Sequence, residues 1–433
     1  MRAMKNSGVD WIGLIPEEWS VKRVKMAFIR KKGEAHQDDP VILSLARAGV
    51  KVRDISSGEG QIAESYYNYN PVEVGDLLLN PMDLYSGANC SISKVAGVIS
   101  PAYINLRANS GYDASYYDYY FKTQYWGMAM FAHGKGVSFD NRWTLSANDL
   151  LNYYIPVPCY EEQCAISAFI ESECTHIDNT IEKTKESIEE YKKLRQAVIT
   201  QVVINGIRRN RSKKYSGIEW IGDIPKDWTV SKVRYIGLLQ NGISKGGDFF
   251  GEGYPFVSYG DVYRNYSIPK TVSGLIRTTD DERKQYSVEK GDIFFTRTSE
   301  TIEEVGFSAV CEDTIENATF AGFVIRLRPY KVDSRILTCY AKYYFRGEHI
   351  RKYLVKEMNL VTRASLGQGL LNAMSVLIPP MEEQKEIANY LDRKMGEIDE
   401  LIAKKERLLI ELENYKKSMI YEYVTGKKEV PHS

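Results

Sequence analysis

The sequence of 433 residues contains an internal repeat of about half its length. The segment Trp11–Trp19 reads Trp-Ile-Gly-Leu-Ile-Pro-Glu-Glu-Trp and returns as Trp220–Trp228, which reads Trp-Ile-Gly-Asp-Ile-Pro-Lys-Asp-Trp. Two copies are too few for a solenoid, in which several repeats must stack to bury a core. The repeat therefore predicts a duplicated module with an internal pseudo-two-fold relation. Basic residues follow both segments at matching places, namely Arg23 and Lys25 in the first copy and Lys232 and Arg234 in the second.

A second motif recurs later in each copy. Pro158 with Glu161-Glu162-Gln163 matches Pro379 with Glu382-Glu383-Gln384. The same spacing aligns Leu106-Arg107 with Leu327-Arg328, Arg142 with Arg363, and Ile177-Asp178 with Ile398-Asp399. Because this spacing exceeds that of the tryptophan motif, the second copy must carry additional residues between its tryptophan motif and its middle.

The first part of each copy has the pattern of a mixed α/β module. Short apolar strands bounded by glycine and aspartate recur, as in Gly75–Leu79 and Gly291–Phe295, which is typical of buried strands. Tyrosines crowd Tyr66–Tyr69 and Tyr112–Tyr125. We expect strands there, with the aromatic side chains packed into the core, because tyrosine suits a pleated, half-buried surface.

The last part of each copy predicts a long helix. Seam residues step by alternating fours and threes from Ile170 to Val202 and from Leu391 to Tyr423, which is the period of a coiled coil. A helix of about 45 residues would be roughly 65 Å long. Both seams turn polar at the same two positions, and such polar positions commonly set the register. These positions are Thr184 with Lys405 and Arg195 with Lys416.

Together these patterns predict an α+β fold, in which two α/β domains in tandem are separated by two long helices that form an antiparallel coiled coil. We place the first α/β domain at residues 1–158 and the first helix at 159–210. The second domain is then residues 211–379, and the second helix is 380–430.

The charge balance restricts the kind of partner. Lys and Arg together number 57, and so do Asp and Glu. This neutrality argues against a generally basic surface for nucleic acid, but it allows a local basic face. One basic cluster follows the first helix and is either a solvated linker or a phosphate contact. It comprises Arg208, Arg209, Arg211, Lys213 and Lys214.

Composition also bears on location and metal binding. The six cysteines form no CxxC pair, so we expect reduced, mostly structural thiols. The five histidines are scattered and do not predict a zinc site. No apolar stretch follows the first residues, and runs such as Leu77–Leu79 are far shorter than the ~20 residues of a membrane span. We therefore expect a cytoplasmic protein with no membrane partner.

The sequence lacks the common motifs of catalysis that we looked for. No G-x-x-x-x-G-K-[ST] loop occurs, so the chain does not hydrolyse nucleotides by that route. Asn80-Pro81-Met82-Asp83 half-resembles the Asn-Pro-Pro-aromatic motif of amino-methyltransferases, but it lacks both the second proline and the aromatic residue. We expect a binding protein with no catalytic, cofactor-binding or metal-binding residues of its own.

The paired motifs resemble those of the specificity (S) subunit of type I restriction-modification enzymes. The resemblance rests on the Trp-Ile-Gly-x-Ile-Pro-x-x-Trp pair, the Pro-x-x-Glu-Glu-Gln pair that opens each helix, and the closing segments Val203–Gly206 and Val424–Gly426. Because all three motifs recur in the same order in both halves, the resemblance spans essentially the whole chain.

The resemblance implies that each α/β module is a target recognition domain reading one half of an asymmetric, bipartite site in double-stranded DNA. The helices would set the spacing of the half-sites and dock two modification (methyltransferase) subunits. Those subunits would carry S-adenosylmethionine and methylate an adenine in each half-site, and separate motor-nuclease subunits would restrict unmodified DNA. This chain would be a non-catalytic recognition subunit.

Candidate DNA-binding residues follow from the chemistry of readout. Bases are read by Arg, Lys, Asn, Gln, Ser or Thr on loops or helix ends, whereas cations on phosphates only position the protein. We expect the tryptophan and Ile-Pro motifs to be packing anchors where each module meets the helices. The equivalence of Arg142 and Arg363 favours a shared structural or phosphate role for that pair. The candidates are Arg47, Lys51, Arg53, Ser86, Asn89, Lys135 and Arg142 in the first module, and Lys245, Tyr259, Arg264, Arg297, Thr298, Ser299 and Arg363 in the second.

Two alternatives remain open at this point. The chain could be a free-standing bipartite DNA-binding regulator, or a coiled-coil adaptor that binds proteins through its α/β modules. Exposed apolar residues beside the seam, such as Phe169 and Val202, would favour docking of partner subunits over the regulator. The adaptor predicts no salt-dependent affinity for DNA.

Overall fold

The computed structural model describes residues 2–36, 40–46, 49–54, 63, 65–82, 84–85, 89–136, 143–299, 304–332, 335–357 and 364–431. It forms two compact units. The first comprises Met1–Thr184 and Arg407–Ser433, and the second comprises Lys185–Glu406. Each unit thus contains one α/β module, the beginning of the long helix that follows this module, and the end of the other long helix.

The first module is built on a four-stranded antiparallel sheet of order β4-β11-β8-β9, with two-stranded pairs β1-β2, β3-β12, β5-β6 and β7-β10 around it. The strands are β1 Met4–Asn6, β2 Leu14–Pro16, β3 Ser20–Arg23, β4 Phe28–Lys31, β5 Leu43–Ala46, β6 Gly49–Val52, β7 Asn70–Val72, β8 Leu77–Leu79, β9 Cys90–Ile92, β10 Gly97–Ile99, β11 Ile104–Ala108 and β12 Tyr154–Val157. The helices are α1 Val24–Ala27, α2 Ala114–Trp126, a 3₁₀ turn Phe131–His133, and α3 Ala147–Asn152, and the long helix α4 spans Tyr160–Asn205.

The second module repeats this plan, with a four-stranded sheet of order β16-β23-β19-β21. Its strands are β13 Lys213–Tyr215, β14 Asp223–Pro225, β15 Thr229–Lys232, β16 Gly237–Asn241, β17 Phe250–Val257, β18 Leu275–Ile276, β19 Ile293–Thr296, β20 Thr298–Ser299, β21 Ser308–Val310, β22 Thr319–Phe320, β23 Val324–Pro329, β24 Ala364–Ser365 and β25 Ser375–Ile378. Its helices are α5 Tyr259–Arg264, α6 Asp280–Gln285, α7 Thr338–Tyr344, α8 Glu348–Glu357 and α9 Gln368–Ala373, with 3₁₀ turns Val233–Tyr235 and Gly247–Phe249, and the long helix α10 spans Met381–Val424.

The strand register shows that the two sheets are equivalent. Ile29 of β4 lies opposite Arg107 of β11, and Leu238 of β16 lies opposite Arg328 of β23. Each arginine reaches a buried aspartate directly before the neighbouring strand: Arg107 lies 2.5 Å from Asp76, and Arg328 lies 2.6 Å from Asp292. The aligned Leu-Arg pairs of the sequence are therefore the same structural feature in both sheets.

The long helices confirm the predicted coiled coil. They contain 46 and 44 residues. In the first unit, Phe169 packs on Tyr423 and Asp178 pairs with Lys416. The later residue of α4 contacts the earlier residue of α10, so the two helices run antiparallel. The second unit shows the same sense, because Tyr191 lies under Lys405 and the later Arg195 pairs with the earlier Asp399.

Two of the predicted polar seam positions form equivalent ion pairs. Lys416 Nζ lies 2.6 Å from Asp178, and Arg195 Nη1 lies 3.2 Å from Asp399. Asp178 and Asp399 are themselves equivalent in the repeat. A shift of the helices by one residue would break both pairs, so these pairs favour one register.

A glutamate of the Pro-x-x-Glu-Glu-Gln motif anchors the tryptophan motif to each helix. In the second unit, Trp228 Nε1 donates to Glu383 at 3.0 Å, and Arg211 pairs with the same buried carboxylate. In the first unit, Trp19 Nε1 donates to Glu162 at 2.9 Å, and Arg2 pairs with Glu162 at 2.5 Å. Both indole rings are buried, so the prediction that the tryptophan motifs are packing anchors is confirmed.

The glutamine that follows closes the junction between module and helix. Gln163 donates to the Pro158 carbonyl at 3.0 Å and accepts from the Asp113 amide at 2.8 Å. Gln384 repeats this with Pro379 at 2.9 Å and the Leu337 amide at 2.8 Å. Each glutamine thereby joins the start of its long helix to a neighbouring loop of the same module.

Each module also holds the end of the other module's helix. The Tyr116 hydroxyl donates to the Val424 carbonyl at 2.8 Å, and the Tyr340 hydroxyl donates to the Val203 carbonyl at 3.2 Å. Carbonyls at the end of a helix lack partners within it. These two tyrosines therefore satisfy backbone groups at the ends of α10 and α4.

The prediction of strands at Tyr112–Tyr125 is wrong, although the prediction of core packing there is confirmed. Residues Ala114–Trp126 form helix α2, which begins where the Asp113 carboxylate accepts from the amides of Ser115 and Tyr116. Capping and burial of aromatic side chains in the core that α2 shares with α4 outweigh the β-propensity of tyrosine. Tyr66–Tyr69 lie in a turn before β7, and Tyr67 is exposed.

Within the described ranges, no helix is long and apolar enough to cross a membrane. The same ranges contain no group of three or more His, Cys, Asp or Glu residues that could hold a metal ion. The six cysteines are unpaired thiols.

The anchor predicts that Glu382 and Glu383 contribute very differently to the free energy of unfolding. Glu383→Ala leaves the indole N–H of Trp228 without its acceptor and the Arg211 guanidinium with only the exposed Asp227, which should cost about 3 kcal/mol. Glu382→Ala removes only an exposed pair with Lys385 and should cost less than about 0.5 kcal/mol. Thermal unfolding of both variants measures this, and equal melting temperatures would contradict the anchor.

The buried aspartate of the first sheet predicts a pH dependence. Burial alone would raise the pKa of Asp76, but hydrogen bonds from Arg107 and neighbouring groups lower it overall. Its stabilising contribution is thus present above the unfolded pKa of about 3.9 and is lost as the pH falls through the lower folded pKa. The difference in melting temperature between the wild type and Asp76→Asn should shrink between pH 6 and strongly acidic pH. Asp10→Asn, at an exposed position, is the control; a difference that does not change with pH would refute this.

Candidate nucleic-acid interface

The two modules differ most clearly at one equivalent place. In the first, Ile42 bridges in parallel to Val98 of β10, and the chain then forms the β5-β6 hairpin. In the second, Phe256 and Val257 pair in parallel with β22, and the chain then forms helix α5. Candidate residues lie on both differing segments: Lys51 on β6 and Arg53 directly after it, and Tyr259 and Arg264 at the two ends of α5.

Asn89 joins the hairpin to the loop before β9. Its side-chain amide donates to the Ala46 carbonyl at 2.6 Å. Lys51 is exposed on β6, and the Arg53 amide donates to the Ile42 carbonyl at 2.8 Å. The structure therefore places Lys51, Arg53 and Asn89 in one region of the first module. Arg47 and Ser86 lie outside the described residues.

Lys135 lies on a neighbouring loop. Its backbone exchanges two hydrogen bonds of 2.9 Å with Thr144, and its exposed ammonium lies 3.8 Å from Asp149. The adjacent Trp143 carbonyl accepts from the Leu84 amide at 3.1 Å. Leu84, five residues before Asn89, therefore lies beside the loop that carries Lys135. Arg142 lies outside the described residues.

Helix α5 is fixed at both ends. Ser258 and Asp261 form a capping box at its beginning. At its end, the Arg346 guanidinium donates to the carbonyls of Val262 at 2.9 Å and Asn265 at 2.5 Å. Arg264 is exposed, and it has no hydrogen-bond or ion-pair partner among the residues that the structure describes. An unpaired guanidinium on a rigid helix end can contact a base or a phosphate.

A second candidate region of this module is a short two-stranded ribbon. Thr298 and Ser299 of β20 pair with Ser365 and Ala364 of β24. The Arg297 carbonyl accepts from the Leu366 amide at 2.7 Å. The structure therefore brings Arg297, Thr298 and Ser299 next to the segment that follows Arg363, which itself lies outside the described residues. The first module has the same contact, because the Pro81 carbonyl accepts from the Leu145 amide at 2.9 Å.

Lys245 is committed to contacts within the protein. Its ammonium lies 2.7 Å from Glu282 and donates to the Arg277 carbonyl at 2.9 Å, and most of the side chain is buried. These contacts hold the loop that begins α6. Its role in binding DNA stays a prediction.

The basic cluster after α4 is largely paired. Arg208 forms a bidentate pair with Glu386, and Arg211 pairs with Glu383 and Asp227. The Lys213 ammonium donates to Asn205 at 2.8 Å. Three of its five cations thus stabilise the end of α4 and the start of the second module, while Arg209 and Lys214 are exposed.

The expected apolar residues beside the seam are not exposed. Val202 is buried, and Phe169 is half-buried against Tyr423. Their exposure therefore supplies no argument for docking. Other apolar residues of α10 do face solvent seven residues apart, namely Leu401, Leu408 and Tyr415.

Two arginines that position the candidate loops were not predicted from the sequence. Burial lowers the pKa of Arg346 and that of Arg351 to about 10, yet backbone carbonyls accept from both side chains. The Arg346 carbonyl in turn accepts from Gln196 of α4 at 2.5 Å. Helix α5 is thereby tied to the long helix. No sequence signal identifies such a residue, because its partners are carbonyls of distant segments.

Comparison with known proteins gives one family. The family model described as type I restriction modification DNA specificity domain matches residues 225–417. A putative type I restriction enzyme MjaX specificity subunit of Methanocaldococcus jannaschii is 29% identical over 210 residues, which are 47% of this chain and 47% of that protein. The MjaVIII specificity subunit of the same organism is 26% identical over 282 residues, 64% of this chain and 63% of its own length. The chain thus matches about half of the first relative and under two-thirds of the second.

Solved structures support the fold. A chain from a type I R-M system, solved to study its complex assembly and conformational transition, is 17% identical, and the match covers 96% of this chain and 99% of that one with a TM-score of 0.72. The HsdS subunit from Thermoanaerobacter tengcongensis is 16% identical, and the match covers 96% and 98% of the two chains with a TM-score of 0.56. At these identities the likeness concerns the fold alone.

Removal of Lys245 and removal of Arg264 should change the stability of the second module by different amounts. Lys245→Ala removes a mostly buried side chain and leaves Glu282 with only its hydrogen bond from the Thr279 amide, so it should lower stability by about 1 kcal/mol. Arg264→Ala removes an exposed, unpaired group and should change stability by less than about 0.5 kcal/mol. Differential scanning calorimetry separates the two, and a larger loss for Arg264→Ala would show that its side chain is structural.

Proposed function

We propose that the chain is the recognition subunit of a methyltransferase and restriction complex, because residues 225–417 match the type I restriction modification DNA specificity domain and similar proteins are specificity subunits of type I restriction enzymes. Each α/β module reads one half of an asymmetric, bipartite target in double-stranded DNA. The antiparallel helices set the spacing of the half-sites and dock two modification subunits. The complex acts on cellular DNA in the cytoplasm.

The observation that carries this proposal is the pattern of likeness between the modules. The sheets, the anchors and the helix ends are the same in both copies, whereas the β5-β6 hairpin of one is replaced by α5 in the other. A shared frame with different loops suits two modules that perform the same task on different sequences. The half-sites should therefore differ.

The candidate side chains can contribute in two ways. Arg264, Lys51 and Arg297 offer donors that suit a guanine edge or a phosphate. Asn89 holds the hairpin through Ala46, and Arg346 holds α5 through its last carbonyls. The first group contacts DNA, and the second group positions the segments that do.

Catalysis belongs to the partners in this proposal. S-adenosylmethionine is bound by the modification subunits, which transfer its methyl group to adenine. Motor-nuclease subunits cut unmodified DNA. This chain supplies recognition and holds the partners at a fixed distance, and it contributes no residue to bond making.

The experiment is modification-sensitive sequencing of host DNA with and without this gene. A split, adenine-methylated motif should vanish on deletion and return on complementation with the wild-type gene. If the methylated motifs are the same in both strains, the proposal fails.

Complementation with single variants assigns each module to a half-site. Lys51→Ala should relax or weaken only one half of the motif, and Arg264→Ala only the other. Loss of a base contact costs about 1–3 kcal/mol, which is tenfold or more in binding. Exchange of residues 1–158 for another first module should replace one half completely. A change in both halves would contradict the modular assignment.

A further inference from the structure

Exposed apolar side chains recur at equivalent positions of the two modules. Met26 and Ile29 of the first are 58% and 60% exposed, and Tyr235 and Leu238 of the second are 58% and 65% exposed. Such side chains add little to folding, because they remain in water. Their repetition therefore calls for a role common to both modules.

The equivalence is structural as well as sequential. Ile29 lies opposite Arg107 at one sheet edge, and Leu238 lies opposite Arg328 at the other. Met26 lies on α1 just before β4, and Tyr235 ends the 3₁₀ turn just before β16. In each described sheet the strand in question, β4 or β16, is an outer strand. We call Lys25, Met26 and Ile29 the first patch, and Arg234, Tyr235 and Leu238 the second patch.

Two other exposed apolar pairs are repeated, but they lie on the long helices, where Tyr160 corresponds to Met381 and Leu194 to Tyr415. Within the modules, the remaining exposed apolar residues are not repeated in this way. Leu14 of the first copy corresponds to Asp223 of the second, and Tyr215 of the second corresponds to Asn6 of the first. Both apolar residues are about as exposed as those of the patches. Repetition is therefore a property of the patches and not of every apolar residue on the surface.

The patches carry positive charge at their rims. Lys25 donates to the Asn152 side chain at 2.9 Å, and Arg234 lies 4.9 Å from the ring centre of Tyr235. Arg23 and Lys232 precede them at matching positions. None of these four cations has a carboxylate partner among the described residues. The complementary surface is thus apolar in its centre and carries carboxylates around it.

We infer that the two patches, in addition to the long helices, are docking sites for two copies of one protein partner, which, given the proposed function, is the modification subunit. Apolar side chains gain nothing from phosphates, so DNA is the poorer occupant. The half-sites differ between modules, whereas the patches are shared. A surface shared by both copies suits a partner that is itself present twice.

The test uses the full chain co-expressed with the modification subunit of the host's own type I system. Native mass spectrometry of the purified complex counts the copies bound. The wild type should carry two, Ile29→Asp one, Leu238→Asp one, and the double variant none. Each aspartate should weaken its own site by about tenfold or more, as expected for the centre of an interface.

Matched controls exchange the unrepeated apolar residues. Leu14→Asp gives the first copy the residue type found in the second, and Tyr215→Asn does the converse, so both should keep two copies. Unchanged melting temperatures of the aspartate variants exclude unfolding as the cause. A double variant that still carries two copies overturns this inference alone. A wild-type chain that recruits no modification subunit overturns both this inference and the proposed function.

Discussion

A carboxylate at the start of each long helix, buried at Glu383 and partly buried at Glu162, holds the structure together. Glu383 accepts from the indole of Trp228 and pairs with Arg211, and Glu162 does the same with Trp19 and Arg2. A carboxylate that loses water must be paired and hydrogen-bonded, or it destabilises the fold. The tryptophan, arginine and glutamate come from three separate segments. The module can therefore close on its helix only when all three segments are in place.

The same anchors explain how the duplication is used. Gly206, at the end of α4, has a positive φ of 70°, and a Cβ there would meet the side chains of Glu383 and Trp228. Gly426, at the end of α10, has the same φ, and a Cβ there would meet Pro16 and Trp19. Glycine is required at both positions by the backbone and by the close approach. Each module thus receives the end of the other module's helix, so neither copy completes its core alone.

Likeness and difference between the copies separate the shared scaffold from the segments that are particular to one module. Elements that serve both halves are repeated down to single hydrogen bonds, as with Gln163 and Gln384. Segments that serve one half have different secondary structure, as with the β5-β6 hairpin and α5. Within one chain the two copies therefore act as an internal comparison. Repetition marks common packing, and divergence marks the segments that, under the proposed function, would read different half-sites.

The sequence by itself determined the repeat, the antiparallel helices and the anchoring role of the tryptophan motifs, because these depend on periodicity and on residue types repeated at fixed spacing. It did not determine helix α2, where capping by Asp113 and burial outweigh the local preference of tyrosine for strands. Nor did it separate Lys245, which is held by Glu282, from Arg264, which faces solvent without a partner. Both are basic residues in comparable surroundings of the sequence. Only the tertiary structure decided which cation is used within the protein, because its partners come from segments that are distant along the chain.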